Sequence, residues 1–248
     1  MTLTYVPLLQ IQRNLYDLPR NMERFRAYLA TMTDASTGDL KLPLVAMNPM
    51  GKEHVPELLD AWMALGADEI AATAVREADA RLRDVAGEFR VGLVIADDLK
   101  GGWTNRWEYE FGHRIGTKPL HRRGWLTGML WTSETPSSDA ARVAASTSVY
   151  RAAYIQQHGY AGTLRETLAQ EGYAMASAGC TTPALDVDDL EYTRDVMTRY
   201  LDATDQPTLM TCLFGDKAVA PLGFGALGFS ECAGLALALA DAGVLRPA

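Results

Sequence analysis

Three cysteines in 248 residues are too few, and odd in number, for a disulfide framework. Cys180, Cys212 and Cys232 offer no Cys-x-x-Cys spacing for a thiolate zinc knuckle. Reduced thiols in a cytoplasmic protein are the expectation. No apolar run approaches the roughly 20 residues that span a bilayer; the closest, Cys232 to Ala240, is far too short. The stretch 1–15 has no basic residue ahead of its short apolar run Tyr5 to Leu9, and Pro7 interrupts that run, so a secretory signal is not expected. Positive charge is also in short supply. Lys and Arg number 23 against 31 Asp and Glu, and the net charge of -8 disfavours nucleic acid and anionic membranes as partners.

Familiar catalytic signatures are missing as well. Gly-x-Ser-x-Gly, the phosphate loop, the kinase set and His-Glu-x-x-His do not occur, which disfavours an elbow serine, phosphate-loop ATP hydrolysis and the common zinc peptidase arrangement. Gly223-Phe-Gly-Ala-Leu-Gly228 has dinucleotide spacing, but its context is wrong. No second strand or ribose-binding acid follows at the usual distance. No NAD or ATP motif therefore occurs in a convincing context.

What the chain does have is a globular composition, 48% hydrophobic and 22% charged, with no repeat, low-complexity tract or linker. One domain over residues 1–248 is the reading. Apolar residues at helical spacing mark Met22, Phe25, Leu29 and Met32, then Val55, Leu58, Leu59 and Trp62, then Ile70, Val75, Ala78, Leu82 and Val85, so each segment should bury one stripe. Thr163-Leu-Arg-Glu166 reads as a capping box and Asp186 as a helix start. The alanine-rich stretch Asp139 to Gln157 reads as a further helix.

Between them, Leu42 to Met47, Phe89 to Ala96, Trp125 to Trp131 and Thr208 to Phe214 are continuous apolar runs of strand length. Such runs suit strands covered on both faces. The expected fold is α/β, a mainly parallel sheet of about four to five strands with helices on both faces; a TIM-like barrel is the alternative.

In such sheets ligands bind beyond the carboxyl ends of the strands, so those tails hold the candidate residues. After the Phe89 strand come Asp97, Asp98, Lys100, Trp103, Asn105 and Arg106; after the others come Asn48, Pro49, Met50, Gly51 and Lys52, then Thr132, Ser133 and Glu134, then Gly215, Asp216 and Lys217. Asp97 or Asp98 would act as a base or hold a divalent cation, and Lys100 would stabilise developing negative charge. Arg106, with Arg114 or His113, would bind a carboxylate or phosphate through its planar fork. Trp103, Asn105, Glu134, Asp216 and Lys217 complete the substrate contacts.

From Lys100 to Arg123 the net charge is +4, leaving -12 on the rest. Four of the five tryptophans fall between 103 and 131. The functional expectation is an enzyme acting on a small anionic metabolite by acid/base or metal-assisted chemistry. The alternative is a binding or assembly protein, a homo-oligomer whose aromatic, basic segment 103–125 is a subunit contact.

Overall fold

The computed structural model describes residues 1–99 and 104–244 and is a mixed helix and sheet structure. Its contacts divide the chain into two compact units, Met1–Tyr109 with Thr117–Val149, and Glu110–Gly116 with Tyr150–Ala248.

The first unit holds the sheet. Strands β1 (Thr2–Tyr5), β2 (Glu88–Ala96) and β3 (Trp125–Trp131) run parallel in the order β1-β2-β3. Thr2 pairs with Glu88, and Arg90 pairs with Trp125 through to Ala96 with Trp131. β1 is an edge strand and alternates exposed with half-buried residues, whereas from Val91 to Ala96 the central strand is buried throughout. Helices α1 (Leu9–Leu15), α2 (Met22–Met32), α3 (His54–Ala64) and α4 (Ala67–Arg81) connect β1 to β2. The chain between β2 and β3 forms α5 (Arg106–Arg114) and α6 (Lys118–Arg122). After β3 comes the 21-residue α7 (Ser138–His158).

Both faces of the sheet are covered. A side chain at Gly128 in β3 would meet the backbone of Ala144 in α7 and Leu93 of β2, while one at Gly92, on the opposite face, would meet Leu8 at the start of α1. β1 ends at Tyr5, leaving the edge of β2 open beyond Val91. Gln12 of α1 closes it. Its fully buried amide donates to Leu93 O at 2.9 Å and accepts from Ile95 N at 2.9 Å, as a neighbouring strand would.

The second unit is helical among its described residues. It contains the end of α7, then α8 (Leu164–Ser177), α9 (Val187–Met197), α10 (Gln206–Phe214), the short α11 (Asp216–Val219) and α12 (Ala233–Val244). The capping box of α8 forms as expected from Thr163 and Glu166. Asp186 caps α9 through Asp189 N.

Three strands are present among the described residues, not four to five, and no barrel closes. Two expected strands take other forms. Thr208 to Phe214 lies in α10, begun by Asp205, whose side chain accepts from Thr208 N, with Pro207 in the first turn. All six residues from Leu209 to Phe214 are buried, so the helix is enclosed on every side and its sequence shows no amphipathic period. Leu42 to Met47 forms tight turns around Pro43, with Leu44 N bonded to Leu42 O and Met47 N to Leu44 O. The strand β1 was not anticipated.

The apolar stripe expected on α2 is also turned differently. Met22 is 57% exposed and Leu29 38%, while Arg24 and Tyr28 are the buried residues. The Arg24 guanidinium donates to Leu18 O and lies 5.2 Å from the Tyr16 ring centre, and the Tyr28 hydroxyl donates to Leu44 O. Polar tips with satisfied hydrogen bonds let these long side chains fill the core side.

Candidate functional site

The carboxyl ends of β2 and β3 deliver Asp97, Asp98, Thr132 and Ser133 side by side, because the two strands end in register at Ala96 and Trp131. The segment between α2 and α3 adds Asn48, and α3, at its first residue, adds His54. Asp97 is the centre of the cluster and only 2% exposed. Its Oδ1 lies 2.8 Å from His54 Nε2 and its Oδ2 accepts from Asn48 Nδ2 at 2.8 Å. Leu99 N also approaches Oδ1, at 3.3 Å.

Thr132 Oγ1 lies 3.1 Å from Asp97 Oδ1 and 3.0 Å from Asp98 Oδ1. Its single hydrogen therefore serves one carboxylate at a time, while its oxygen accepts from Asp98 N at 3.1 Å. Asp98 is further held by Ser133, through the backbone N at 3.0 Å and Oγ at 2.6 Å.

His54 is the first residue of α3, placed there by the turn Asn48–Gly51. Met50 N donates to Asn48 Oδ1 and Gly51 N to Asn48 O. The same Asn48 carbonyl accepts from the Tyr16 hydroxyl at 2.5 Å. Burial, with the Asp97 charge adding to it, raises the Tyr16 phenol well above its usual range, so it stays a donor. A carboxylate can only accept, so His54 Nε2 carries a proton, and in the neutral ring Nδ1 then keeps its lone pair. Nδ1 is buried and has no partner among the described residues.

Arg106 stands at the start of α5, with Asn105 Oδ1 accepting from Glu108 N at 3.1 Å in the manner of a helix cap. The guanidinium is already engaged. Nη1 donates to Ser133 Oγ at 3.0 Å and lies 3.7 Å from Asp98, and Nη2 binds Glu134. It also lies 5.2 Å from the ring centre of Trp131 and 5.4 Å from that of Trp107.

Of the residues expected from sequence, then, Asp97, Asp98, Arg106 and Glu134 come together, and Asn105 sits beside Arg106 as a cap. Lys100 and Trp103 lie outside the described residues. His113 and Arg114 belong to the second unit. There Arg114 joins Glu110 at 2.9 Å and Glu171 at 2.6 Å, and burial together with the Arg151 charge pushes the His113 imidazole down to about 4. Asp216 and Lys217, also in the second unit, follow a helix rather than a strand. Asp216 accepts from Leu227 N and Gly228 N, so it ties down the glycine-rich loop. Lys217 is exposed.

Sequence reasoning missed His54. It stands six residues after Asn48, two positions beyond the last strand-tail candidate, Lys52, and one before the first apolar residue of its helix.

The four carboxylate oxygens of Asp97 and Asp98 all have protein donors or Arg106 as neighbours. Among the described residues no group of three or more His, Cys, Asp or Glu side chains is gathered to hold a metal ion. Trp107, Tyr109 and Phe111 are half-buried, and none of them is among the exposed large apolar side chains. Tyr109 packs edge-on against Trp131. No described helix is long and apolar enough to cross a membrane. No protein-family model, curated protein or solved structure matches the chain.

Proposed function

We propose that the chain is an enzyme that moves a proton on a small polar metabolite, with His54 as the acid–base group and Asp97 as the residue that aims it. The observation that carries this reading is the 2.8 Å contact between His54 Nε2 and a buried Asp97 at the carboxyl end of a parallel sheet. A carboxylate on one ring nitrogen leaves the other free to take a proton and stabilises the imidazolium that results; with Nδ1 buried in this conformation, the transfer requires the ring's surroundings to open to the substrate. Asp97 is thus a positioning residue here and not the base expected from sequence.

The charge of the cluster bears on the substrate. Among the described residues, Asp98 and Glu134 lie against one guanidinium, Arg106, whose fork is taken up by Ser133 and these two carboxylates, while Asp97 lies beside His54. That balance favours an uncharged or cationic substrate, such as a polyol, amide or amine, over the anionic metabolite expected from a free Arg106. The half-buried aromatics of α5 give the assembly alternative less support than the site.

The test is a metabolite set containing uncharged, cationic and anionic members, read by thermal shift and then by NMR for turnover. The proposal expects stabilisers among the first two classes. It also expects turnover that His54→Asn abolishes while the folded spectrum is kept. Turnover that persists in His54→Asn, or stabilisation by anions alone, would overturn it.

A further inference from the structure

The second unit carries a groove of about 730 Å³ that plays no part in the proton-transfer reading. This lies within the roughly 300–1,000 Å³ of small-molecule sites, which are apolar with a few placed polar groups. One face of α8 lines it from Arg165 to Ser177, about 18 Å of helix at 1.5 Å per residue. Leu168, Met197, Leu201 and Leu237 provide apolar walls. At Gly172 α8 packs directly on the α12 backbone, because a side chain there would run into Ala238 O.

Length and lining together suit an extended hydrocarbon chain. The ends differ in character. Arg165 and Arg194 contribute two positive charges to the lining and Asp241 one negative. Arg194 is tied to Asp241 at 2.6 Å, whereas among the described residues the Arg165 side chain reaches only the 89% exposed Asp202, at 3.4 Å. An exposed pair of that kind is worth little, so the Arg165 fork can exchange its partner for an incoming carboxylate.

We propose that the groove between α8, α9 and α12 binds a long-chain monocarboxylate, its chain lying along α8 and its headgroup on Arg165. The reading is independent of the sheet site. It is tested on the full chain by calorimetric titration with the C8, C10 and C12 fatty acids and with dodecanol. Each added methylene should tighten Kd about fourfold. Arg165→Gln should weaken dodecanoate about tenfold and leave dodecanol unchanged. Ala169→Trp, at an exposed position that lines the groove, should weaken both, with an unchanged circular dichroism spectrum showing that the helices persist. Absence of saturable binding by the C12 acid, no dependence on chain length, or equal affinity in Ala169→Trp would overturn the groove as the site. Equal loss of acid and alcohol in Arg165→Gln would overturn the headgroup assignment.

Discussion

Arg151 and Glu171 meet as two parallel hydrogen bonds, Nε to Oε1 at 2.6 Å and Nη2 to Oε2 at 2.9 Å, with side chains 3% and 0% exposed. Arg114 adds a third bond to the same carboxylate. Glu171 is therefore shared by two guanidiniums, of which Arg114 also pairs with Glu110. Glu171→Gln keeps the shape but removes the charge, and we expect it to cost about 3–5 kcal/mol, the penalty of leaving buried charge uncompensated. Chemical denaturation of the variant measures this. A loss below about 1 kcal/mol would mean the arginines find other partners.

The same network makes the second unit sensitive to acid. His113 faces Arg151, Glu110, Arg114 and Glu171, and burial with the arginine charges pushes it from an ordinary value of 6.5 down to about 4. Between those values the unfolded chain binds a proton that the folded chain refuses, so stability is complete above pH 6.5 and falls as pH drops toward 4. The full loss is about 3 kcal/mol. Glu171, held down to about 2 by its arginines, adds a second loss at lower pH, from about 4.5 downward. His113→Gln should flatten the first leg of the stability profile and keep the second. An unchanged slope between pH 6.5 and 4 would contradict the assignment.

Gln12 replaces a strand with one side chain. Gln12→Leu would leave Leu93 O and Ile95 N unpaired at the edge of β2, two buried groups at about 1–3 kcal/mol each. We expect a loss of about 2–4 kcal/mol in urea with an unchanged m-value. A neutral effect would show that the edge is satisfied in another way.

These elements divide clearly into those legible in the sequence and those that are not. β2 and β3 were legible because each is a short, continuous apolar run, and β3 has the expected bounds. The capping box of α8 was legible because its partners are three residues apart. Leu209 to Phe214 carried no such signal, since a helix buried all round and a strand buried on both faces write the same apolar run. The deciding signs were Asp205 and Pro207 just before it. At the site, Asp97 and Asp98 followed from the strand end alone, and so did the convergence of Thr132 and Ser133. His54 did not, because its meeting with Asp97 across 43 residues depends on the turn at Asn48 and on where α3 begins. Arg106 was found, but its capture by Glu134 and Asp98 rests on the register of β2 against β3.

The claim on which the functional reading stands is that Asp97 fixes the imidazole of His54 with its proton on one nitrogen and a lone pair on the other. Nitrogen-15 NMR of the four histidine rings reads this directly, with His54 assigned by His54→Asn. The account predicts that neutral His54 carries its proton on Nε2, with Nδ1 unprotonated, and that Asp97→Ala removes this bias. A His54 ring protonated on Nδ1 in the unaltered protein, or one indifferent to the loss of Asp97, would contradict it.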